Sequence, residues 1–188
     1  MMPLKGKRLI RGRANDLLRC LVLVGAGATL LLAACEKRAV PDTANMPALP
    51  TATSLGEQSI EAVADYLAAA PYATASQALG DRLLLQCRAC HTFAKGAGHT
   101  LGPNLFDVFG RKAGSASGYG FTRALQDAEF VWTPRALDAW LAQPQKFLPG
   151  NAMAYGGLRF PDDRAALIAS LMRQTTDLAP TSATKNEN

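Results

Sequence analysis

Cys87-Arg88-Ala89-Cys90-His91 is the feature that most restricts what this chain can fold around. Two thiols sit one helical turn apart, and an imidazole follows directly. Three chemistries use thiols at that spacing. A structural zinc ion needs four ligands, yet the chain has one other histidine, His99, with no further cysteine near it. Cys20 and Cys35 stand far upstream, immediately before and immediately after an apolar segment. A redox-active dithiol wants a βαβ setting, whereas Leu79, Leu83 and Leu84 read as the end of a helix.

The third chemistry uses all three residues together. Thiols one turn apart reach both vinyl groups of one haem, and the adjacent imidazole falls beneath its iron. The cofactor expected is therefore one covalent haem c, attached through Cys87 and Cys90, with His91 on the iron.

Charge and hydrophobic pattern place that site in a compartment. Of 188 residues 48% are hydrophobic, enough for one domain with a core, and the formal net charge is +5. Residues 1–35 alone carry +5; residues 36–77 sum to −3, 78–175 to +4 and 176–188 to −1. No aromatic residue interleaves the early bases, so a nucleic-acid surface is not expected. Instead the basic stretch runs into an apolar segment, Leu21 to Ala34, and then Cys35. Those residues span roughly 21 Å as a helix, short of a hydrocarbon core of about 30 Å. This is the pattern of a secretory signal. Leu32-Ala33-Ala34-Cys35 resembles a bacterial lipobox, which implies lipidation at Cys35; the alternative is an uncleaved anchor helix. Either puts the rest of the chain on the periplasmic side, because the flanking positive charge stays inside.

Residues 36–77 are expected to be linker, rich in proline and small residues to residue 54. A short helix is expected near 56–70, from the Ser54/Glu57 capping spacing and from Ile60, Val63, Ala64 and Leu67, and Pro71 closes it. Residues 176–188 read as a disordered tail.

Residues 78–175 carry a series of motifs in order. After CRACH come KGAGHTLGPNLFDVFGRKAG, GYGFTRAL, Trp132, WLAQPQKFLPGNAMAYGGL and RAALIASL. This series resembles class I cytochrome c, in its mitochondrial and bacterial soluble branch, with almost no gaps. The resemblance implies an all-α domain wrapped around one haem. It implies Met153 as the second iron ligand, with Asn151 in the same loop among the cofactor-binding residues. The Pro103 carbonyl would accept the Nδ1 proton of His91, and Arg111 and Trp132 would hold a buried propionate. Gly102 reads alternatively as a turn residue with positive φ. His99 resembles a histidine that bonds loop backbone rather than iron, and Met172 falls on a terminal helix as core. A His/Met pair favours ferrous iron relative to His/His.

Departures from the pattern are equally specific. Phe121 stands in place of a tyrosine that donates to a propionate, and Leu125 in place of an asparagine that holds distal water. Trp140 replaces a tyrosine that bonds the methionine sulfur, so its indole either substitutes or the bond is lost. Leu79 and Ser170 occupy the positions of a glycine–aromatic pair between the first and last helices, so that contact is not carried over. Gln86, Gln145 and Ala152 replace lysines around the haem edge, leaving Lys95 and Lys146.

The resemblance implies a one-electron carrier, not an enzyme. Its expected partners are membrane redox complexes: a quinol-oxidising cytochrome bc complex, and a terminal oxidase or reductase. The alternatives are a peroxidase-like or ligand-binding haem protein with a labile methionine, and a sensory module.

Overall fold

The computed structural model describes residues 48–178. The basic and apolar segment, Cys35 and residues 179–188 lie outside the described residues. Six α-helices follow in order: α1 Val63–Ala68, α2 Gln77–Arg88, α3 Arg123–Gln126, α4 Pro134–Ala142, α5 Pro144–Phe147 and α6 Pro161–Thr175, with a 3-10 turn at Tyr72–Thr74. Among the described residues there is no strand, only an antiparallel bridge between Lys112 and Val131. No described helix is long and apolar enough to cross a membrane.

The helix starts are written in the sequence. Ser76 caps α2 by accepting from Leu79 N–H at 3.3 Å, and Thr133 caps α4 by accepting from Ala136 N–H at 3.2 Å. Pro134 and Pro161 occupy first-turn positions, where a missing N–H costs nothing. Asp162 and Asp163 lie at the positive end of the α6 dipole.

α2 packs along α6, and the close approach is made by Gly80, not by Leu79. A Cβ on Gly80 would lie 2.8 Å from the Ala166 carbonyl carbon and 2.9 Å from Ser170 Cβ, so the helices meet backbone to backbone. The expected loss of the interhelix glycine contact is thus corrected by one position. Ser170, completely buried, is the small partner that replaces an aromatic. Its hydroxyl bonds Asp81, which also accepts from Gln174 Nε2 at 2.9 Å; Gln174 accepts in turn from Arg88 Nη2 at 2.5 Å. Hydrogen bonding thereby replaces part of the missing apolar contact. Arg164 is buried in α6, paired with Asp138 at 2.7 Å and donating to the carbonyls of Leu158 and Arg159.

The expected linker also differs. From about Thr51 onward it packs on the domain, with Leu55 only 2% exposed. The helix expected near 56–70 is confined to Val63–Ala68 for identifiable reasons. Ser54 Oγ accepts from Thr51 N–H at 2.8 Å instead of capping a helix. Gly56 adopts φ +69°, outside the helical region, and the Gln58 amide is spent on Val131.

Candidate functional site

The C-terminus of α2 delivers the CRACH motif. His91 N–H and Cys90 N–H both donate to the Cys87 carbonyl, at 2.9 and 3.1 Å, so the last turn brings both thiols and the imidazole to one end of the helix. Both thiols are free of any disulfide. The following loop folds back: Gly102 N–H donates to the Cys90 carbonyl at 2.7 Å, and the Thr100 hydroxyl bonds the same oxygen.

That return seats His91. Its Nδ1 lies 2.7 Å from the Pro103 carbonyl, which can only accept, so Nδ1 carries the proton and Nε2 keeps a lone pair. Burial pushes the imidazole below its usual pKa, and the Pro103 bond offsets this only in part. The ring is thus held neutral, as a metal ligand must be. Gly102 is glycine because the ring lies against it: a Cβ there would be 2.6 Å from Nδ1 and 2.8 Å from Nε2. Its φ is not positive, so close approach and not turn geometry is the reason.

Met153 approaches from another part of the fold. The loop after α5 is tied by Asn151, whose Nδ2 donates to the carbonyls of Pro144 and Leu148 at 3.0 and 2.8 Å and whose Oδ1 accepts from Met153 N–H at 2.9 Å. The Trp140 indole donates to Met153 Sδ at 3.2 Å, so the tryptophan does supply the sulfur's hydrogen bond. Gln145 Nε2 reaches the carbonyls of Asn151 and Met153, both at 3.3 Å. It is a fastener of the loop as well as a lost charge.

These pieces enclose a cavity of about 440 Å³, within the usual range for a cofactor site. Its lining includes Cys87, Cys90, His91, Pro103, Met153, Trp140, Arg111 and Trp132. Asn151 is not in that lining: it holds the methionine loop from behind. His99 is also outside it. Its Nδ1 accepts from Asn104 N–H at 2.9 Å, so Nε2 must donate to the Ser117 carbonyl at 2.8 Å, and both nitrogens are engaged away from the cavity. Met172 is completely buried in the core of α6. Burial raises the Cys87 thiol to about 11, with Cys90 adding to the effect, and burial raises Tyr155 to about 12.

No family model matches the chain. Curated relatives do. Cytochrome c of Chlamydomonas reinhardtii is 42% identical over 90 residues, covering 48% of this chain and 80% of the relative. Cytochrome c of Kluyveromyces lactis is 38% identical over 105 residues, covering 55% of this chain and 96% of the relative. The chain belongs to the cytochrome c family. Among solved structures, cytochrome cH from Methylobacterium extorquens aligns with TM-score 0.48 and 37% identity, covering 52% of this chain and 98% of that one. The family membership shown by the curated relatives gives the helical domain the cytochrome c fold. As a cytochrome c the chain is an electron-carrying haem protein with covalent haem c and iron, and not an enzyme.

The residues present fit that group. Arg111 donates to the backbone carbonyls of Phe106 and Asn104, at 3.2 and 3.0 Å, which engages two of the five N–H groups a guanidinium carries. Burial pushes its pKa down, and Asp107 offsets this only in part, so the cytochrome keeps a half-buried cation at the cavity wall. The Thr122 hydroxyl, also in the lining, is buried without a partner among the described residues. It precedes α3 yet makes no cap with its side chain. Phe121 brings no hydroxyl, and neighbouring Tyr119 spends its own on the Leu101 carbonyl at 2.6 Å. The Tyr155 hydroxyl is likewise buried in the lining without a partner among the described residues. Thr122 and Tyr155 are therefore the hydroxyls free to donate into the cavity that reading the sequence missed; an isolated threonine before a four-residue helix carries no signal of what it faces.

Proposed function

We propose that this cytochrome c is a one-electron carrier tethered on the periplasmic side of a bacterial membrane, linking a quinol-oxidising cytochrome bc complex to a terminal oxidase or reductase. One observation carries the reading: a neutral imidazole fixed by Pro103 and a thioether fixed by Trp140 line the same cavity. His91 and Met153 would hold the iron, and Cys87 and Cys90 the macrocycle. The group supplies a one-electron ferrous–ferric couple when bound. The protein's part is to hold both ligands through the change of charge. Pro103 holds the imidazole proton, Trp140 and Asn151 hold the methionine, and Arg111, Trp132 and Thr122 would meet the propionates.

The surface supports brief docking without strong steering. Gln86, Gln145 and Ala152 are exposed and uncharged, and Lys95 is already paired with Asp177 at 2.6 Å. Lys146 remains exposed, so the rate of reaction with an acidic partner should respond weakly to salt. The tether reading rests on the basic segment, the apolar run and the lipobox-like end at Cys35. Stopped-flow mixing of the reduced and oxidised holoprotein with quinol-oxidising and oxygen-reducing membrane fractions tests the role. Rapid exchange with both is expected; exchange with neither would remove the carrier reading. Intact mass tests the tether: a mature chain starting at diacylglyceryl-Cys35 is expected, and an intact chain starting at Met1 would contradict lipidation.

A further inference from the structure

Part of the segment that reads as spacer in the sequence is tied to the methionine side of the cavity. Leu55 is buried in the apolar cluster that contains Phe130, Trp140 and Phe147. Ala52 N–H donates to the Phe147 carbonyl at 2.9 Å. Gln58 sets its amide edge against Val131: Oε1 accepts from Val131 N–H at 3.0 Å and Nε2 donates to Val131 O at 2.9 Å. The same Nε2 lies 3.1 Å from Thr133 Oγ1. A side-chain amide thus occupies an edge that would otherwise need another strand; the neighbouring residues Phe130 and Trp132 bond to Ala113, Gly110 and Arg111.

These ties share a destination. Phe147 ends α5, from which the loop carrying Met153 hangs. Thr133 caps α4, and α4 carries the Trp140 whose indole meets Met153 Sδ. Trp132, in the cavity lining, lies between the two residues Gln58 grips. No residue of 48–76 is itself in that lining. The loop from Leu148 to Gly157 has no helix of its own, and such segments open at the low end of a protein's stability range. Asn151 ties that loop to the start and end of α5 through the Pro144 and Leu148 carbonyls, and α5 is in turn held at Phe147 by Ala52 N–H and by the cluster containing Leu55.

We propose that residues 51–58 are an intrachain brace for the methionine-bearing loop, with Leu55 and Gln58 as positioning residues. The consequence for iron ligation rests on Met153 being the ligand; the brace itself concerns only the loop. In the ferric holoprotein, hydrogen exchange is read at the amides of Phe147, Leu148, Asn151 and Met153, each hydrogen-bonded in the structure. Gln58→Ala removes the amide grip and leaves Val131 N–H without that acceptor. Exchange at the four amides should accelerate on the order of tenfold, with amides of α2 unchanged. Association of imidazole with the ferric iron should quicken by a similar factor. Leu55→Ala should act in the same direction and more strongly. Ser170→Ala, which loosens the α2–α6 contact, should accelerate α2 amides and not the loop. Loop exchange unchanged in Gln58→Ala, or accelerated only in step with α2, would overturn the brace. A wild-type ferric spectrum without the methionine–iron band would sink the ligand assignment instead, and the loop amides would still decide the brace.

Discussion

His91 and Met153 each depend on one neighbour that fixes an atom. For His91 it is the Pro103 carbonyl, and the absence of a side chain at Gly102 allows the ring to lie where that carbonyl reaches. Gly102→Ala is expected to displace the ring and abolish a stable six-coordinate holoprotein, read as loss of low-spin absorption; a normal spectrum would contradict the cradle. For Met153 it is the Trp140 indole. A donor on the sulfur draws electron density from the iron and favours the ferrous state, so Trp140→Phe should lower the reduction potential. One hydrogen bond sets the scale at up to about 60 mV. A potential that rises would reverse the assigned sign. CRACH, Pro103 and Met153 were legible because a short motif and its ordered neighbours encode them locally. Thr122 and Gln145 were not, since their roles depend on what the folded chain places opposite them. Gln145 in particular reads as a charge removed, and only the loop geometry turns it into a donor for Asn151 and Met153.

Among the elements, the contact of α2 with α6 is the least forgiving. Gly80→Ala would drive a methyl into the Ala166 carbonyl, and separating the helices should cost about 2–3 kcal/mol. A guanidinium titration of the holoprotein checks this, with an unchanged midpoint as the contrary result. Leu79, Leu83 and Leu84 read as the end of a helix and Met172 as part of a terminal one, and α2 and α6 lie there; the caps at Ser76 and Thr133 are findings of the structure. Whether the 56–70 stretch docks on the domain or extends the spacer is not legible in the sequence, because burial in the 51–74 segment comes from single residues such as Leu55 and Gln58, which make no period. Its 3-10 turn offers a pH test. Burial raises Tyr72 to about 12, with Asp138 and Tyr66 adding to the effect. Its ordinary value is 10.0, so in that window the unfolded chain loses a proton that the folded chain keeps. Stability contributed by Tyr72 is full below pH 10 and is lost as pH rises toward 12. Tyr72→Phe should flatten that part of the stability profile; an unaltered slope would show that the hydroxyl is not the cause.

At the scale of the whole molecule, the +5 formal charge divides into +5 over residues 1–35, −3 over 36–77, +4 over the haem-bearing stretch 78–175 and −1 over 176–188. Partners would meet the haem-bearing stretch, thinned by Gln86, Gln145 and Ala152 and by the Lys95–Asp177 pair. The molecule is built to keep a cofactor's surroundings constant: both proposed ligands are held by fixed hydrogen bonds, and the cavity wall behind the methionine is braced by residues far upstream. The most direct test is the optical spectrum of the ferric holoprotein beside that of Met153→Ala. The weak far-red band of methionine–iron ligation should be present in the wild type and absent in the variant. A wild-type protein without that band, or a variant that keeps it, would contradict the account.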